Sequence, residues 1–307
     1  MIRGFPRAPS AGRPGDPGLF TSGSVAGRVN AETTLLLGGG RALLMQLAHP
    51  MVAAGVADHS GFRGDPFARL WRTLNTTLTV SFGDTEQSRA AAARVTGVHR
   101  RVRGERDGCA YDALDPELLL WVHATLVDSA LVTYERFVRP LSTPVCERYY
   151  EEMKRQAIAL EVPEAALPPG LREFRTYVSD MAATLVVSDE ARDLATEVVR
   201  PPVPLALASG TALMRLITVG LLPPRLRVAY GYAWSTGRER TLDAVAAAAR
   251  LAVPLLPDGI RRWPHAREAD RRLGHLRGAA SSPIVVSTRG GEGGLRARER
   301  RGFSSRP

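Results

Sequence analysis

Six histidines are the residues of this chain best suited to bind a metal ion or a metal-containing cofactor. The first four fall within early segments of helical pattern, and the last two look peripheral. They are His49, His59, His99, His123, His265 and His275. A buried neutral imidazole needs a hydrogen-bond partner or a metal. The first question is therefore which of these rings face inward.

Helical spacing predicts that two of the histidines are buried. His99 shares a stripe with Val95, while the neighbouring arginines mostly occupy other faces of the same helix. His123 has Leu120 and Val127 at helical spacing. A single inward histidine is ordinarily a core residue with satisfied hydrogen bonds. Two or three in adjacent helices favour a ligand site.

The surroundings of the histidines favour haem over a carboxylate-bridged metal. Di-iron and zinc bundles supply Glu-x-x-His or His-Glu-x-x-His motifs. A haem needs one axial imidazole, an apolar slot between helices and cations for its propionates. The absence of a CxxCH motif means that any haem is bound without thioether links. The residues three positions before the histidines are Gln46, Val56, Thr96, Leu120, Arg262 and Arg272.

A second polar cluster, Arg69 to Thr73, lies on a predicted helix. Arg69, Arg72 and Thr73 fall on one side of it at spacings of three and four residues. The arginines could bind propionates, stabilise bound oxygen or pair with carboxylates at the surface. Thr73 could donate a hydrogen bond into a pocket or bond to its own helix backbone. The sequence leaves these alternatives open.

The elements that must position these residues are predicted to be helices in a single large all-α domain that encloses a haem pocket. Asn30 is a plausible N-cap at the start of the fold, and Gly38 to Gly40 and Pro50 should break or kink the first long helix, with close backbone contacts at the glycines. We find no convincing strand alternation or internal repeat. The predicted helices are 66–81, 85–103, 116–138, 144–160, 171–187, 189–199, 205–221 and 242–255.

The charge of the chain is concentrated at its ends. The net charge is +10, yet residues 1–30 hold four Arg against one Asp and residues 277–307 hold seven Arg against two Glu. We expect disordered segments at 1–29 and 277–307 around a domain at 30–276. A nearly neutral body argues against a specific nucleic-acid interface, and leaves only weak contact with nucleic acid or anionic lipid through mobile arms.

Other features of the sequence bound its location and chemistry. Two cysteines without a CxxC pair and a start without an apolar leader predict a cytoplasmic protein. The apolar stretch 203–222 contains Arg215, so we interpret it as a buried helix and predict no transmembrane segment. Serine-hydrolase, dinucleotide and P-loop motifs are missing from the sequence, and the Gly-Gly-Gly run at 38–40 is a weak signal alone.

The motifs together resemble a known family. Gly39-Gly40-Arg41, Gln46 to Pro50, His59-Ser60, Arg69 to Thr73, Val98-His99 and Trp121 to Leu126 stand in the order of the catalytic domain of the oxygenases MpaB and latex clearing protein. The resemblance spans about Ala31 to His275 and is strongest before Tyr150. It implies a helical fold around haem b, with a proximal histidine and a distal Arg-x-x-Lys-Thr group.

The resemblance implies a role for each matching residue. His99 matches the proximal, iron-binding position, with His123 as the alternative ligand, and Arg69 and Thr73 match the distal group. Arg72 replaces its lysine, and because an arginine stays protonated, it cannot readily serve as a sixth iron ligand. We therefore expect an open, water-bound or His-bound sixth position. His123 or His49 is the candidate for a His-bound state, and Arg41 is a further cofactor-binding candidate.

The implied reaction is oxidation of a small apolar substrate by dioxygen at ferrous haem, with Arg72 and Thr73 stabilising the bound oxygen. The substrate is expected to be unsaturated, isoprenoid or lipid-like, and an electron donor is compatible with this chemistry. One alternative is a haem-binding or small-ligand-binding protein without turnover. Another is an adaptor that binds through its tails. The sequence does not predict the oligomeric state.

Overall fold

The structure, a computed structural model, describes residues 11–59, 66–201 and 208–274, with the backbone alone for 66–70 and 208. Within these ranges it confirms the all-α prediction. In the described residues, 3-10 helices at Thr33–Gly38, Glu164–Ala166 and Val253–Leu255 accompany the α-helices. The helices are α1 Val25–Asn30, α2 Gly39–Leu47, α3 Pro50–His59, α4 Pro66–Phe82, α5 Thr85–His99, α6 Pro116–Phe137, α7 Thr143–Ala159, α8 Leu171–Thr184, α9 Asp189–Val199, α10 Ala208–Leu221, α11 Pro224–Ala229, α12 Thr236–Ala252, α13 Asp258–Arg261 and α14 Pro264–Arg272.

Helix α6 is the central element of the fold. It begins where the sequence predicts, because the Asp115 carboxylate accepts a hydrogen bond from the Glu117 N–H at 2.8 Å and Pro116 occupies the first turn. Thirteen of its 22 residues are buried. A helix that is apolar on most sides lies in the interior. It packs against α1, α2, α7, α8 and α12, and one core cluster runs from α1 to α14, so the described residues form a single domain.

The predicted break in the first long helix is confirmed. A 3-10 helix, α2 and α3 follow one another where the sequence predicts one interrupted helix. The glycines allow the close contacts expected of them. A Cβ at Gly38 would collide with Thr133 of α6, and a Cβ at Gly40 would collide with Thr218 of α10.

Helices α4 and α5 form an antiparallel pair joined by a two-residue turn at Gly83 and Asp84. Asp84 and Gln87 form a reciprocal capping box that begins α5. A side chain at Gly83 would bring its Cβ within 2.6 Å of the Thr79 carbonyl oxygen, so the turn requires glycine. The pair therefore ends and restarts where the sequence predicts.

An antiparallel β-hairpin between α5 and α6 was not predicted. Its strands, β1 Arg103–Arg106 and β2 Cys109–Asp112, replace the last turn of the helix expected to reach residue 103. Asp107 and Gly108 at its tip both have positive φ. Four residues a strand, mostly exposed, give too short a pattern for alternation to be recognised.

The N-terminal segment differs from the expectation of disorder at 1–29. Over residues 11–29 the chain packs on the body: Phe20 is 1% exposed and its N–H donates to the Ser81 carbonyl at 3.0 Å. Helix α1 places the Ala26 N–H 2.7 Å from the Glu152 carboxylate. Glycine and proline in this segment form turns, and they bring Phe20 and Val25 into the core. The predicted tail at 277–307 lies outside the described residues.

Two further expectations about the second half of the chain need correction. The segment 203–222 was interpreted as a buried helix, but Leu213 and Met214 in the first half of α10 are exposed, and 202–207 lie outside the described residues. Helices α11, α13 and α14 were not predicted. In the described part of the chain, no helix is both long and apolar enough to cross a membrane.

Candidate functional site

His123 lies deep in the molecule, as predicted. Helix α6 directs its ring against α7, where it is 5% exposed and hydrogen-bonds the backbone of Met153. Its Nδ1 is buried and has no hydrogen-bond partner among the described residues. Burial lowers the pKa of His123 to about 4. The ring is therefore neutral at pH 7 and has an unprotonated ring nitrogen with a lone pair.

His99 is the last residue of α5 and is half-buried, between the exposed side chains of Val98 and Arg100. It is thus less enclosed than the predicted inward position. Burial lowers its pKa, so this imidazole is also neutral at pH 7.

The antiparallel pair α4–α5 brings His99 and the arginine cluster to the same end. Arg69 and His99 are each fifteen residues from Asp84 in the turn, about 22 Å along a helix. Arg72 and Thr73 lie within one helical turn of Arg69 and are exposed. The Arg69 side chain lies outside the described residues. This end of the pair therefore combines a neutral imidazole, a permanent cation and a hydroxyl.

Hydrogen bonds of neighbouring threonines occupy the backbone carbonyls of this part of α4. Thr76 Oγ1 donates to the Arg72 carbonyl at 2.9 Å, and Thr77 Oγ1 donates to the Thr73 carbonyl at 3.0 Å. Such back-bonding is usual for threonine within a helix. The guanidinium of Arg72 and the hydroxyl of Thr73 are the groups that α4 presents outward here.

His49 lies at the junction of α2 and α3, close to the start of α6. Its Nδ1 accepts a hydrogen bond from the Met51 N–H at 3.3 Å. Burial lowers its pKa, opposed by the carboxylates of Asp115 and Glu117. Those acids mark the start of α6, about 9–12 Å along the helix from His123. His49 therefore lies near the start of α6, whereas His123 lies further along the same helix.

Arg41 is bonded to protein on every side. It is 4% exposed, with Nε donating to the Leu221 carbonyl at 2.8 Å, Nη1 to Ser129 Oγ at 2.7 Å and Nη2 to the Asp128 carboxylate at 2.5 Å. These bonds join α2, α6 and α10. The arrangement favours a structural role for Arg41 over contact with a propionate.

His265 was expected to be peripheral, and that expectation is wrong. It is 1% exposed on α14, and neither ring nitrogen has a partner among the described residues. Burial lowers its pKa to about 4. The apolar neighbours Trp263, Ala266 and Ala269, which are buried, could have indicated that His265 faces inward. The arginines between them obscure this apolar pattern in the sequence. His275 lies outside the described residues.

A polar network holds the hairpin that leads from His99 to α6. His59 Nε2 lies 3.2 Å from both the Arg103 carbonyl and Tyr111 Oη, and Tyr111 Oη donates to the Asp58 carboxylate at 2.6 Å. Arg106 pairs with Asp58 and with a glutamate of α9. Burial, with the Asp58 hydrogen bond, raises the pKa of Tyr111 to about 12. The network therefore ties the hairpin to α3 and α9 at neutral pH.

The remaining chemistry-bearing features lie elsewhere. Among the described residues, no group of three or more His, Cys, Asp or Glu side chains is placed to hold a metal ion. A cavity of about 520 Å³ opens between α7 and α8, and one of about 370 Å³ opens between α6, α10 and α12. Neither is lined by the histidines or by the arginine cluster.

Comparison with known proteins decides the family. Residues 27–251 match the family model described as the catalytic domain of ER-bound oxygenase mpaB/B' and rubber oxygenase. The chain belongs to this family. Its oxygenase domain makes the chain an oxidoreductase by family, and the matched segment starts within α1 and reaches α12.

Two relatives in mycobacteria are similar over most of their length. An uncharacterized protein of Mycobacterium bovis and one of Mycobacterium tuberculosis are each 32% identical to this chain over 231 residues, covering 72% of this chain and 89% of the relative. No solved structure matches the chain.

Proposed function

We propose that this protein is a haem b-dependent oxygenase that uses dioxygen to oxidise a small apolar substrate, unsaturated and isoprenoid or lipid-like in character. Membership of the oxygenase family supports the reaction class. The observation that supports the haem assignment is the placement of a neutral imidazole, His99, at the same end of the α4–α5 pair as the exposed Arg72 and Thr73 and the backbone of Arg69.

Two histidines of this chain have the chemistry that an axial haem ligand requires. An axial ligand must be a neutral imidazole with a free lone pair, and both His99 and His123 are neutral because burial lowers their pKa. The buried Nδ1 of His123 has no hydrogen-bond partner in the described part of the chain, so this nitrogen is available to bind a metal. We assign His99 as the axial ligand and keep His123 as the alternative.

When bound, a haem supplies the redox chemistry that activates dioxygen. The protein supplies the surrounding charges and hydrogen bonds. Arg72 carries a positive charge at any working pH and can stabilise negative charge that develops on oxygen. Thr73 can donate a hydrogen bond from its hydroxyl. Arg41, bonded within the core, holds α2, α6 and α10 in place and so positions the central helix.

The finer features of the function are also proposals. The apolar character of the substrate is what the family resemblance implies, and the leucine- and valine-rich interior is compatible with it. An electron donor is needed if the iron must be reduced before it binds dioxygen. A cytoplasmic location and the absence of a specific nucleic-acid partner stay predictions from the sequence.

Absorption spectroscopy tests the haem assignment. The protein is expressed with a haem precursor alongside His99→Ala, His123→Ala and His265→Ala, with helical content checked by circular dichroism. A Soret band that is lost only in His99→Ala supports the assignment. A band lost only in His123→Ala moves the ligand to α6, and one lost only in His265→Ala contradicts both. Folded wild-type protein without a Soret band or iron contradicts the haem proposal.

Oxygen consumption separates the oxygenase from a protein that only binds haem. The reduced holoprotein is supplied with unsaturated apolar compounds, and uptake of dioxygen is followed together with the mass of the products. Incorporation of labelled oxygen supports the proposal. A stable haem complex without uptake, across compounds of different chain lengths, favours the binding-protein alternative.

A further inference from the structure

The described surface carries one concentration of exposed large apolar side chains. Leu251 and Leu255 are 76% and 84% exposed, and Ile260 is 60% exposed. Of the ten large hydrophobic residues that are exposed in the described part of the chain, six lie on α10, α12 and the segment that follows α12. We call these six the apolar face. They are Leu213, Met214, Leu251, Leu255, Leu256 and Ile260.

The packing of the helices brings these residues to one region. Leu242 near the start of α12 and Ile217 and Leu221 near the end of α10 share a small core cluster, so the two helices run antiparallel. The end of α12 therefore lies beside the exposed first half of α10. The 3-10 helix Thr33–Gly38 contacts both α10 and α13, and its leucines are half-buried.

From Ala244 to Ala252 the exposed side of α12 is apolar except for Arg250, whereas Arg240 and Asp243 lie nearer the start of the helix. Ala244, Ala247 and Ala248 are exposed between Leu242 and Leu251. A surface helix usually places charged residues opposite its buried stripe. A clustered apolar surface of this kind marks an interaction site.

The charges around the apolar face are predominantly positive. Arg215, Arg240 and Arg250 are exposed and form no ion pair with the described residues. The acids of the same elements are engaged: Asp243 pairs with Arg136 at 2.6 Å, Asp258 lies 3.7 Å from Arg262, and Glu32 and Glu239 are bonded to other arginines. An apolar surface bordered by arginines that have no ion-pair partner among the described residues complements an anionic lipid surface. The same positive charges would repel a second copy of this face, which disfavours a dimer through it.

We propose that the apolar face docks this protein on the surface of an anionic bilayer, with α10, α12 and α13 lying in the interface. Leucines enter the boundary of the acyl chains, and the arginines contact lipid headgroups. Docking is a separate property from haem binding, and it would give a protein that acts on apolar compounds access to substrates dissolved in lipid.

Vesicle sedimentation of the full-length protein tests the proposal. Vesicles of phosphatidylcholine with phosphatidylserine are compared with vesicles of phosphatidylcholine alone. The test variants are Leu251→Glu and Leu255→Glu. The matched control is Val186→Glu, which changes a residue of similar exposure, 75%, outside the apolar face. Circular dichroism and thermal melting confirm that each variant is folded.

The proposal expects binding to the anionic vesicles, weaker at high salt, with partitioning reduced about tenfold or more by each leucine variant and unchanged in Val186→Glu. A chain ending at Gly274 should keep binding that depends on the leucines. The proposal is overturned if wild-type protein does not bind, if the leucine variants bind as wild type, or if truncation alone abolishes binding. A dimer in solution that the leucine variants dissociate, with no vesicle binding, would assign the face to a second copy.

Discussion

Two arginine-containing regions of this molecule differ in how far their polar groups are satisfied. At the joint of α2, α6 and α10, Arg41 is buried and donates to three acceptors on two other helices. At the open end of the α4–α5 pair, Arg72 is exposed and Thr73 beside it faces outward. At the joint each guanidinium nitrogen already donates to the protein, whereas the open end presents a cation and a hydroxyl outward. An arginine's role follows from what its guanidinium already binds.

Removal of Arg41 should have the largest effect on stability. Arg41→Ala leaves Asp128 partly buried without its cation and the Leu221 carbonyl without a donor, at a cost of about 3–5 kcal/mol. Arg72→Ala should change the free energy of unfolding by no more than about 0.5 kcal/mol. Urea unfolding measures both. Equal losses of stability in the two variants would contradict the view that Arg41 is structural and Arg72 is not.

The glycines of the joint offer a matched pair one residue apart. Gly40→Ala places a Cβ against Thr218 and should cost about 1–3 kcal/mol, because the helices must separate. At Gly39 an added Cβ meets nothing within 4 Å, so Gly39→Ala should be neutral or slightly stabilising. Thermal melting of the two variants is the measurement. A larger loss in Gly39→Ala would show that the close approach of α2 and α10 is not what glycine provides.

Acid should weaken the buried regions more than the open end. The pKa of His265 is lowered to about 4 in the folded protein, below the unfolded value, so its stabilising effect is complete above pH 6.5 and is lost as pH falls towards 4. Between pH 7.5 and pH 5, the free energy of unfolding of His265→Leu should therefore fall by about 2 kcal/mol less than that of the wild-type protein. Because neither ring nitrogen of His265 has a hydrogen-bond partner among the described residues, the substitution leaves no hydrogen-bonding group unpaired. Parallel pH dependences of unfolding would contradict the assignment of a neutral buried ring.

Arg72→Lys should leave stability unchanged within about 0.5 kcal/mol, and in the haem protein that we propose it should change the haem spectrum alone. A lysine can lose its proton and bind iron, whereas Arg72 cannot. The resting spectrum of the haem protein should therefore shift towards a six-coordinate, low-spin form in Arg72→Lys. Arg100→Lys, at a nearby exposed position, is the control. An identical spectrum in wild type and Arg72→Lys would place residue 72 away from the iron.

The sequence alone determined the elements that local signals specify. Asp115 and Pro116 marked the start of α6, Asp84 marked the start of α5, and the glycines near residue 38 marked the broken first helix. These succeeded because capping and helix breaking act over a few residues. The ordered motifs also identified the family. The burial of His123 followed from the periodicity of a helix that is apolar on most sides.

Only the tertiary structure decided which polar side chains are already bonded and which apolar ones face outward. The partners of Arg41 lie 87, 88 and 180 residues away in the chain, so no local pattern could reveal that all three of its guanidinium nitrogens are hydrogen-bonded. Phe20 and His265 are buried in segments whose composition is typical of surface, because distant helices cover them. Leu213 is exposed within a segment that reads as core. Burial depends on which elements pack together, and helical periodicity alone does not state which partner a face will meet.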